Sequence, residues 1–263
     1  MSQRPISAFH LVYVWRTDQG RVRARNEDAV VVDPEWGLVV VADGVGGASA
    51  GDVASHLATE TIADRFRRQA MPRNEPEKAR LFVEAAVAEA NINIWRQGRE
   101  QRDFAGMGTT VVVGSVGWDW LAIAHVGDSR IYRLREDDFE QLSRDHSFIQ
   151  EVIDQGFFTS REDAKRYGIG ENILTRALGS SPVVKISSDV IALAAGDLFV
   201  FCTDGLTGMI PDDWMRQILM SVDENSLDSA ADALIRIANE RGGNDNITFA
   251  LIQVGERLSG FQS

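Results

Sequence analysis

The chain has very little of what most metal or redox chemistry needs: one cysteine and four histidines in 263 residues. A single cysteine excludes an intrachain disulfide and a thiolate zinc cluster. Cys202 closes the run Leu198-Phe199-Val200-Phe201-Cys202, where it reads as a small buried apolar residue. His10, His56, His125 and His146 are too few and too scattered for an imidazole-dominated zinc centre. Long apolar runs are also missing, and none approaches the roughly 20 residues that span a bilayer. The opening Met1-Ser2-Gln3-Arg4-Pro5 carries no apolar leader, so a cytoplasmic location away from membranes is expected. Positive charge is in deficit, with 27 Lys and Arg against 39 Asp and Glu and a net charge of −12. That balance argues against nucleic acid as a partner, because a phosphate backbone attracts basic surfaces.

What is present is an ordinary globular composition, 44% hydrophobic and 25% charged, at a length that one domain can accommodate. Short apolar runs over 29–33, 37–42, 109–116, 120–126, 130–135, 183–194, 197–202 and 247–254 predict strands. Gly117-Trp118-Asp119 and Gly127-Asp128-Ser129 divide three of them into what reads as a hairpin-linked meander. Helical periodicity predicts helices over 50–68, 77–97, 212–220 and 227–239. Residues 146–180 have lower apolar density and read as a helix plus an irregular surface segment. The pattern is one mixed domain in which helical layers cover sheets.

The acidic residues are placed unevenly. Asp43, Asp204 and Asp245 each follow, or nearly follow, an apolar strand or a glycine turn, in Asp43-Gly44-Val45-Gly46-Gly47, Asp204-Gly205 and Gly243-Asn244-Asp245-Asn246. If the strands lie side by side, these carboxylates converge at one sheet edge and repel one another unless protonated or metallated. Hard divalent cations with oxygen ligands resolve that conflict. The competing reading is that Asp-Gly is simply a common turn pair.

In order along the chain, Thr17-Asp18-Gln19-Gly20 with Arg23, Asn26-Glu27-Asp28, Asp43-Gly44-Val45-Gly46-Gly47, Gly108-Thr109-Thr110, Gly127-Asp128-Ser129-Arg130, Thr203-Asp204-Gly205 and Asp245-Asn246 resemble the metal-dependent Ser/Thr protein phosphatases of type 2C, in their compact bacterial branch. The resemblance spans residues 12 to 253. It implies an α+β fold, a four-layer α-β-β-α sandwich of two mainly antiparallel sheets flanked by helices, with 146–180 as a flap. Residues 12–254 would form the catalytic domain, 1–11 an N-terminal extension and 255–263 a flexible tail.

The resemblance also assigns roles. Asp43 would bridge two Mn²⁺ or Mg²⁺ ions, the Gly44 carbonyl would ligate the second, and Asp204 and Asp245 would ligate the first. Asp128 with Asp204 would hold a third divalent ion. Glu27 and Asp18 would act through metal-bound water, while Asp28 and Asn246 support the site. Gly108-Thr109-Thr110 reads as packing and hydrogen-bonding support, and Ser129 as no nucleophile. Arg23 would grip the phosphate, with Arg21 and Arg25 as alternatives if the strand register differs. Val45 stands where many eukaryotic relatives have a proton-donating histidine, which leaves the donor open; His146 is the one candidate nearby, although its place matches the start of the flap.

The implied reaction is hydrolysis of phosphoserine and phosphothreonine in proteins by a hydroxide bridging the metals. The substrates would be the products of a bacterial Ser/Thr kinase, and the enzyme a monomer. A phosphatase dedicated to one regulatory or secretion-system protein is an alternative, as is a non-catalytic metal-binding module that recognises phosphoproteins. In the flap, Phe157-Phe158, Arg161, Lys165, Arg166 and Tyr167 offer apolar and basic contacts to a substrate. The plainer reading is that Phe157 packs the flap helix and the charges keep it soluble.

Overall fold

The computed structural model describes residues 6–45, 50–170, 173–220, 222 and 226–258. Gly46 and Gly47 of the glycine motif lie outside these, as do the first five residues and the last five.

Two antiparallel sheets stack face to face. The first runs β1 (Phe9–Asp18), β11 (Ile247–Arg257), β10 (Leu198–Cys202), β7 (Arg130–Arg135) and β8 (Asp138–Gln141) in spatial order. The second runs β2 (Asp28–Asp33), β3 (Leu38–Val45), β5 (Val111–Val116), β6 (Trp120–Val126) and β9 (Ser187–Ala192), with β4 (Gly108–Thr109) pairing with the end of β3. Their facing sides bury Val39, Val41, Val112, Ile123, Phe199, Phe201 and Ile252. Gly114 makes room for the Phe201 ring, which a Cβ there would meet at 2.3 Å.

Helices cover both outer faces. α1 (Ala50–Arg68) and α2 (Pro76–Glu100) lay a small-residue stripe, Ala54, Ala58, Ala86 and Ala90, against Val40, Ala42, Val113 and Ala124 of the second sheet. α6 (Asp212–Met220) and α7 (Leu227–Glu240) pack Met215, Leu219, Leu234 and Ala238 on Val200, Phe249 and Leu251 of the first. The expected α-β-β-α layering is thus present, and the buried apolar faces of the four layers supply its main driving force. Cys202 is fully buried, as expected.

Three expectations change. The meander over 109–135 does not form, because only β5 and β6 make a hairpin while β7 pairs with β10 and β8 of the other sheet. Gly127-Asp128-Ser129 is therefore a crossing between sheets. The strand boundaries also move: Phe9 pairs with Arg257, so residues 9–11 and 255–257 belong to the sheet rather than to an extension and a tail. Phe9 is buried, and this apolar anchor carries pairing past the polar neighbours that suggested an end. Finally, the 146–180 segment holds two short helices, α3 (Phe148–Asp154) and α4 (Arg161–Arg166), each capped by a serine side chain, Ser147 on Gln150 and Ser160 on Asp163.

Candidate metal centre and phosphate cleft

The ends of β3 and β10, the start of β11, the β1–β2 loop and the β6–β7 crossing meet at one edge of the sandwich. They line a cleft of about 220 Å³ formed by Arg23, Glu27, Asp43, Gly44, Val45, Asp128, Leu174, Asp204, Asp245 and Asn246. All the carboxylates singled out from the sequence are here except Asp28 and Asp18. Asp28 pairs across from Asp43 in the β2–β3 ladder and sits behind the cleft, where its carboxylate accepts from Thr203 Oγ1 at 2.9 Å. Asp18 accepts from the Gly20 amide at 2.8 Å and from Asn239 at 3.0 Å, and so shapes the β1–β2 loop instead of lining the cleft.

Backbone and hydroxyl contacts fix the cluster. The Asp43 amide donates to Thr110 Oγ1 at 3.1 Å, and the Asp43 carbonyl accepts from Thr109 Oγ1 at 2.7 Å and the Thr110 amide at 2.9 Å. Thr110 in turn shares a 2.6 Å hydroxyl contact with the buried Ser129 beside Asp128. Asn246 is the second fastener: its Oδ1 accepts from the Glu27 amide at 2.8 Å, and its Nδ2 donates to the carbonyls of Gln19 and Arg25 at 2.9 and 2.8 Å. Two glycines are required by close approach. A Cβ on Gly205 would lie 1.9 Å from the Asn246 carbonyl oxygen, and one on Gly44 2.2 Å from that of Gly51. The first clash would push α5 (Asp204–Thr207) away from Asn246, and the second would push the start of α1 away from the end of β3.

The electrostatics are those of an acidic cluster short of positive charge. Burial, then the neighbouring Asp28, Asp204 and Asp128, raise Asp43 well above the usual carboxylate range, and it is hydrogen-bonded to Asp204. Asp204 is raised by burial and by Asp245. Asp28 and Asp128 are each pushed up to about 7, in both cases first by burial. Among the described residues Arg23 is the one cation lining the cleft, and its Nη2 donates to Asp245 Oδ2 at 2.6 Å. Asp204 Oδ1 is buried and accepts no hydrogen bond.

Such an oxygen is costly to bury unless something positive meets it. Among the described residues no three acidic, histidine or cysteine side chains form a closed ligand shell, since Asp43 and Asp204 are held to each other and Asp245 to Arg23. The donor set is nevertheless all oxygen, anionic and partly unsatisfied, which fits hard divalent cations and not zinc.

The three arginines of the β1–β2 loop are placed differently. Arg23 lines the cleft, whereas Arg21 and Arg25 are exposed on the same loop outside its lining. His146 is excluded as a proton donor. Its Nδ1 accepts from the Gly127 amide at 3.2 Å, its Nε2 contacts Ser187 Oγ at 3.0 Å, and burial with the stacked His125 lowers it to about 3. A neutral imidazole so held braces the crossing that carries Asp128.

Leu174 of the flap lines the cleft, which its sequence context gave no periodic signal to reveal. Phe157 is 68% exposed and does not pack the flap helix, contrary to the plainer expectation. Phe158 instead contacts Tyr167 at 5.6 Å between centroids. Arg161 is not available to a substrate either, because it binds Asp145 at 2.5 Å and Gln150 at 3.1 Å.

This fold and this oxygen-lined cleft define a metal-dependent phosphohydrolase. A sequence description of protein phosphatase 2C matches residues 19–251, and the serine/threonine phosphatase stp of Listeria innocua is 38% identical over 91% of this chain and 94% of its own length. Among solved structures, the catalytic domain of the serine/threonine protein phosphatase PstP, in complex with two manganese ions, superposes with a TM-score of 0.81 at 32% identity, over 94% of this chain and 99% of that one. PppA of Pseudomonas aeruginosa, described as a key regulatory component of its T6SS, superposes with a TM-score of 0.79 at 29% identity, over 93% and 98%. The chain belongs to the protein phosphatase 2C family and is an enzyme of the metal-dependent protein serine/threonine phosphatase type.

Proposed function

We propose that the cleft removes phosphate from phosphoserine and phosphothreonine in proteins, with Asp43, Gly44, Asp204 and Asp245 holding two divalent cations, Mn²⁺ or Mg²⁺, and Asp128 with Asp204 a third. The observation that carries this is the buried, unpartnered Asp204 Oδ1 inside a cluster of carboxylates pushed toward protonation. Bound there, the cations supply a water acidified toward neutral pH and screen the phosphate from the acids around it.

The chain's own groups do the rest. Arg23, whose Nη2 is held by Asp245, presents its planar fork to the phosphoryl oxygens beside that carboxylate. Glu27 sits at the rim, its amide held by Asn246 and its carbonyl accepting from the Gly44 amide at 3.1 Å, and orders water near the ions. Thr109 and Thr110 keep Asp43 in place by its backbone, so the carboxylate does not reorganise during the reaction. Val45 has no proton to give and His146 is held neutral, so neither protonates the leaving oxygen.

Substrates of this kind are made by protein Ser/Thr kinases, and the enzyme acts on them as a cytoplasmic monomer. A phosphatase restricted to one regulatory or secretion-system protein is the narrower form of the same reading, and the likeness to PppA favours testing it. The test is phosphate release from phosphothreonine and phosphoserine peptides with and without Mn²⁺, repeated with Asp43→Asn. Metal-dependent release that the substitution removes supports the assignment; release without metal, or unchanged turnover in the variant, rejects it.

A further inference from the structure

Arginines on this acidic surface are mostly tied to carboxylates: Arg16 to Asp228 and Asp232, Arg80 to Glu77 and Glu84, Arg144 to Asp154. Arg21 and Arg25, beside the cleft, differ: among the described residues their guanidinium groups have neither an ion pair nor a hydrogen bond.

Arg21 and Arg25 flank Arg23 on a loop that is exposed but held rigidly from below. The Arg21 amide donates to the Gly243 carbonyl at 2.7 Å, the Arg25 carbonyl accepts from Asn246 at 2.8 Å, and Gln19 Nε2 donates to the Arg23 carbonyl at 2.7 Å.

We infer that Arg21 and Arg25 form a positive rim that selects phosphopeptides carrying further negative charge beside the phosphorylated residue. The inference rests on the phosphatase reading and sharpens its substrate class. In a chain of net charge −12, an acidic peptide is repelled almost everywhere else, so cations left unpaired at the mouth of the one phosphate cleft supply local attraction and orientation. Their side chains do not hold the loop, since the fastening contacts above are all made by backbone groups or other side chains.

The experiment compares kcat/KM for phosphothreonine peptides of one core sequence with acidic, neutral or basic flanks, using Mn²⁺-loaded chain, and for para-nitrophenyl phosphate. The expected result is a preference for acidic over neutral flanks of about fivefold to tenfold at low salt, residing in KM, since each exposed pair contributes modestly and is screened. The double variant Arg21→Gln, Arg25→Gln brings that ratio toward one while para-nitrophenyl phosphate turnover stays within about twofold, and Arg21→Glu with Arg25→Glu inverts it. A ratio near one in the unaltered chain, or an acidic preference that survives the double variant, overturns the inference. Absence of turnover on every substrate would instead count against the phosphatase reading.

Discussion

Two buried acidic sites lie about the Gly127–Ser129 crossing, and they are built in opposite ways. On one side, Asp145 is almost completely buried and saturated: Arg130 donates through Nε and Nη2 at 3.1 and 2.9 Å, Arg161 at 2.5 Å and Gln141 at 2.8 Å. On the other, among the described residues no guanidinium is hydrogen-bonded to Asp43, Asp204 or Asp128, which face one another, and Asp204 Oδ1 has no partner. A carboxylate surrounded by fixed cations is a structural joint, because its charge is cancelled permanently. A cluster left uncancelled has its compensation supplied from outside, and that is what makes it a reaction centre.

The joint itself serves the site. Arg161 belongs to α4 and Gln150, which also contacts it, to α3, while Arg130 starts β7 directly after the Asp128 crossing. Arg130 continues through Tyr132 Oη at 2.9 Å to Asp212 of α6 at 3.1 Å. The flap is thus bolted through one carboxylate to the strand that positions the third acidic group.

The comparison can be broken from either side. The largest effect is expected on activity at the uncancelled cluster: Asp43→Asn lowers metal-dependent kcat at least about 10³-fold, the equivalent of about 4 kcal/mol, while thermal melting of the metal-free chain is unchanged or raised. A raised melting temperature follows because the substitution removes a buried charge that nothing in the chain compensates. The opposite pattern is expected at the joint. Asp145→Asn leaves Arg130 and Arg161 without a counter-charge and costs about 3–5 kcal/mol of stability, measured by denaturant unfolding.

Next in size is pH. A carboxyl raised in the folded state binds its proton more tightly there than in the unfolded chain, so its contribution to stability falls as pH rises between the two values. For Asp128 the window runs from about 4 to about 7. The buried imidazole of His146, lowered to about 3, pushes the other way, since the unfolded chain takes up the proton between about 3 and 6.5. The Asp128 component is therefore read as the difference between the metal-free chain and Asp128→Asn, expected to grow by on the order of 1–2 kcal/mol in favour of the variant from pH 4 to 7. Saturating Mn²⁺ should abolish that difference's pH dependence; if it persists unchanged, the acids are not the ions' ligands. The smallest effect is at Arg23, where replacement by Lys raises KM for phosphopeptides about tenfold, near 1.4 kcal/mol, because a point charge cannot copy the planar fork.

Much of this was legible from residue order. Asp43 and Asp204 stand at the ends of runs that do become β3 and β10, and Asp245 just before β11, but they do not converge along one sheet edge: β3 lies in one sheet and β10 and β11 in the other, so the stacking of the two sheets brings the acids together. The helices over 50–68 and 212–220 begin and end where the periodicity placed them. Long-range partnership was harder. Nothing local separates a hairpin from a crossing at Gly127-Asp128-Ser129; the outcome is decided by β10 and β8, which offer β7 edges far along the chain. β8, Asp-Phe-Glu-Gln, is a polar edge strand with one apolar residue, too little alternation to register. The Asp145 joint escaped for the same reason, since its partners are Arg130 and Arg161 on separate elements and a lone Asp-His pair says nothing of them.

The central claim is that the uncancelled cluster is completed by divalent cations, and calorimetric titration of the metal-free chain with Mn²⁺ tests it most directly. At least two ions should bind per chain, and Asp43→Asn should lose that binding while Asp145→Asn, wherever it remains folded, keeps it. Binding of no ion, or an isotherm identical in Asp43→Asn, would contradict the account.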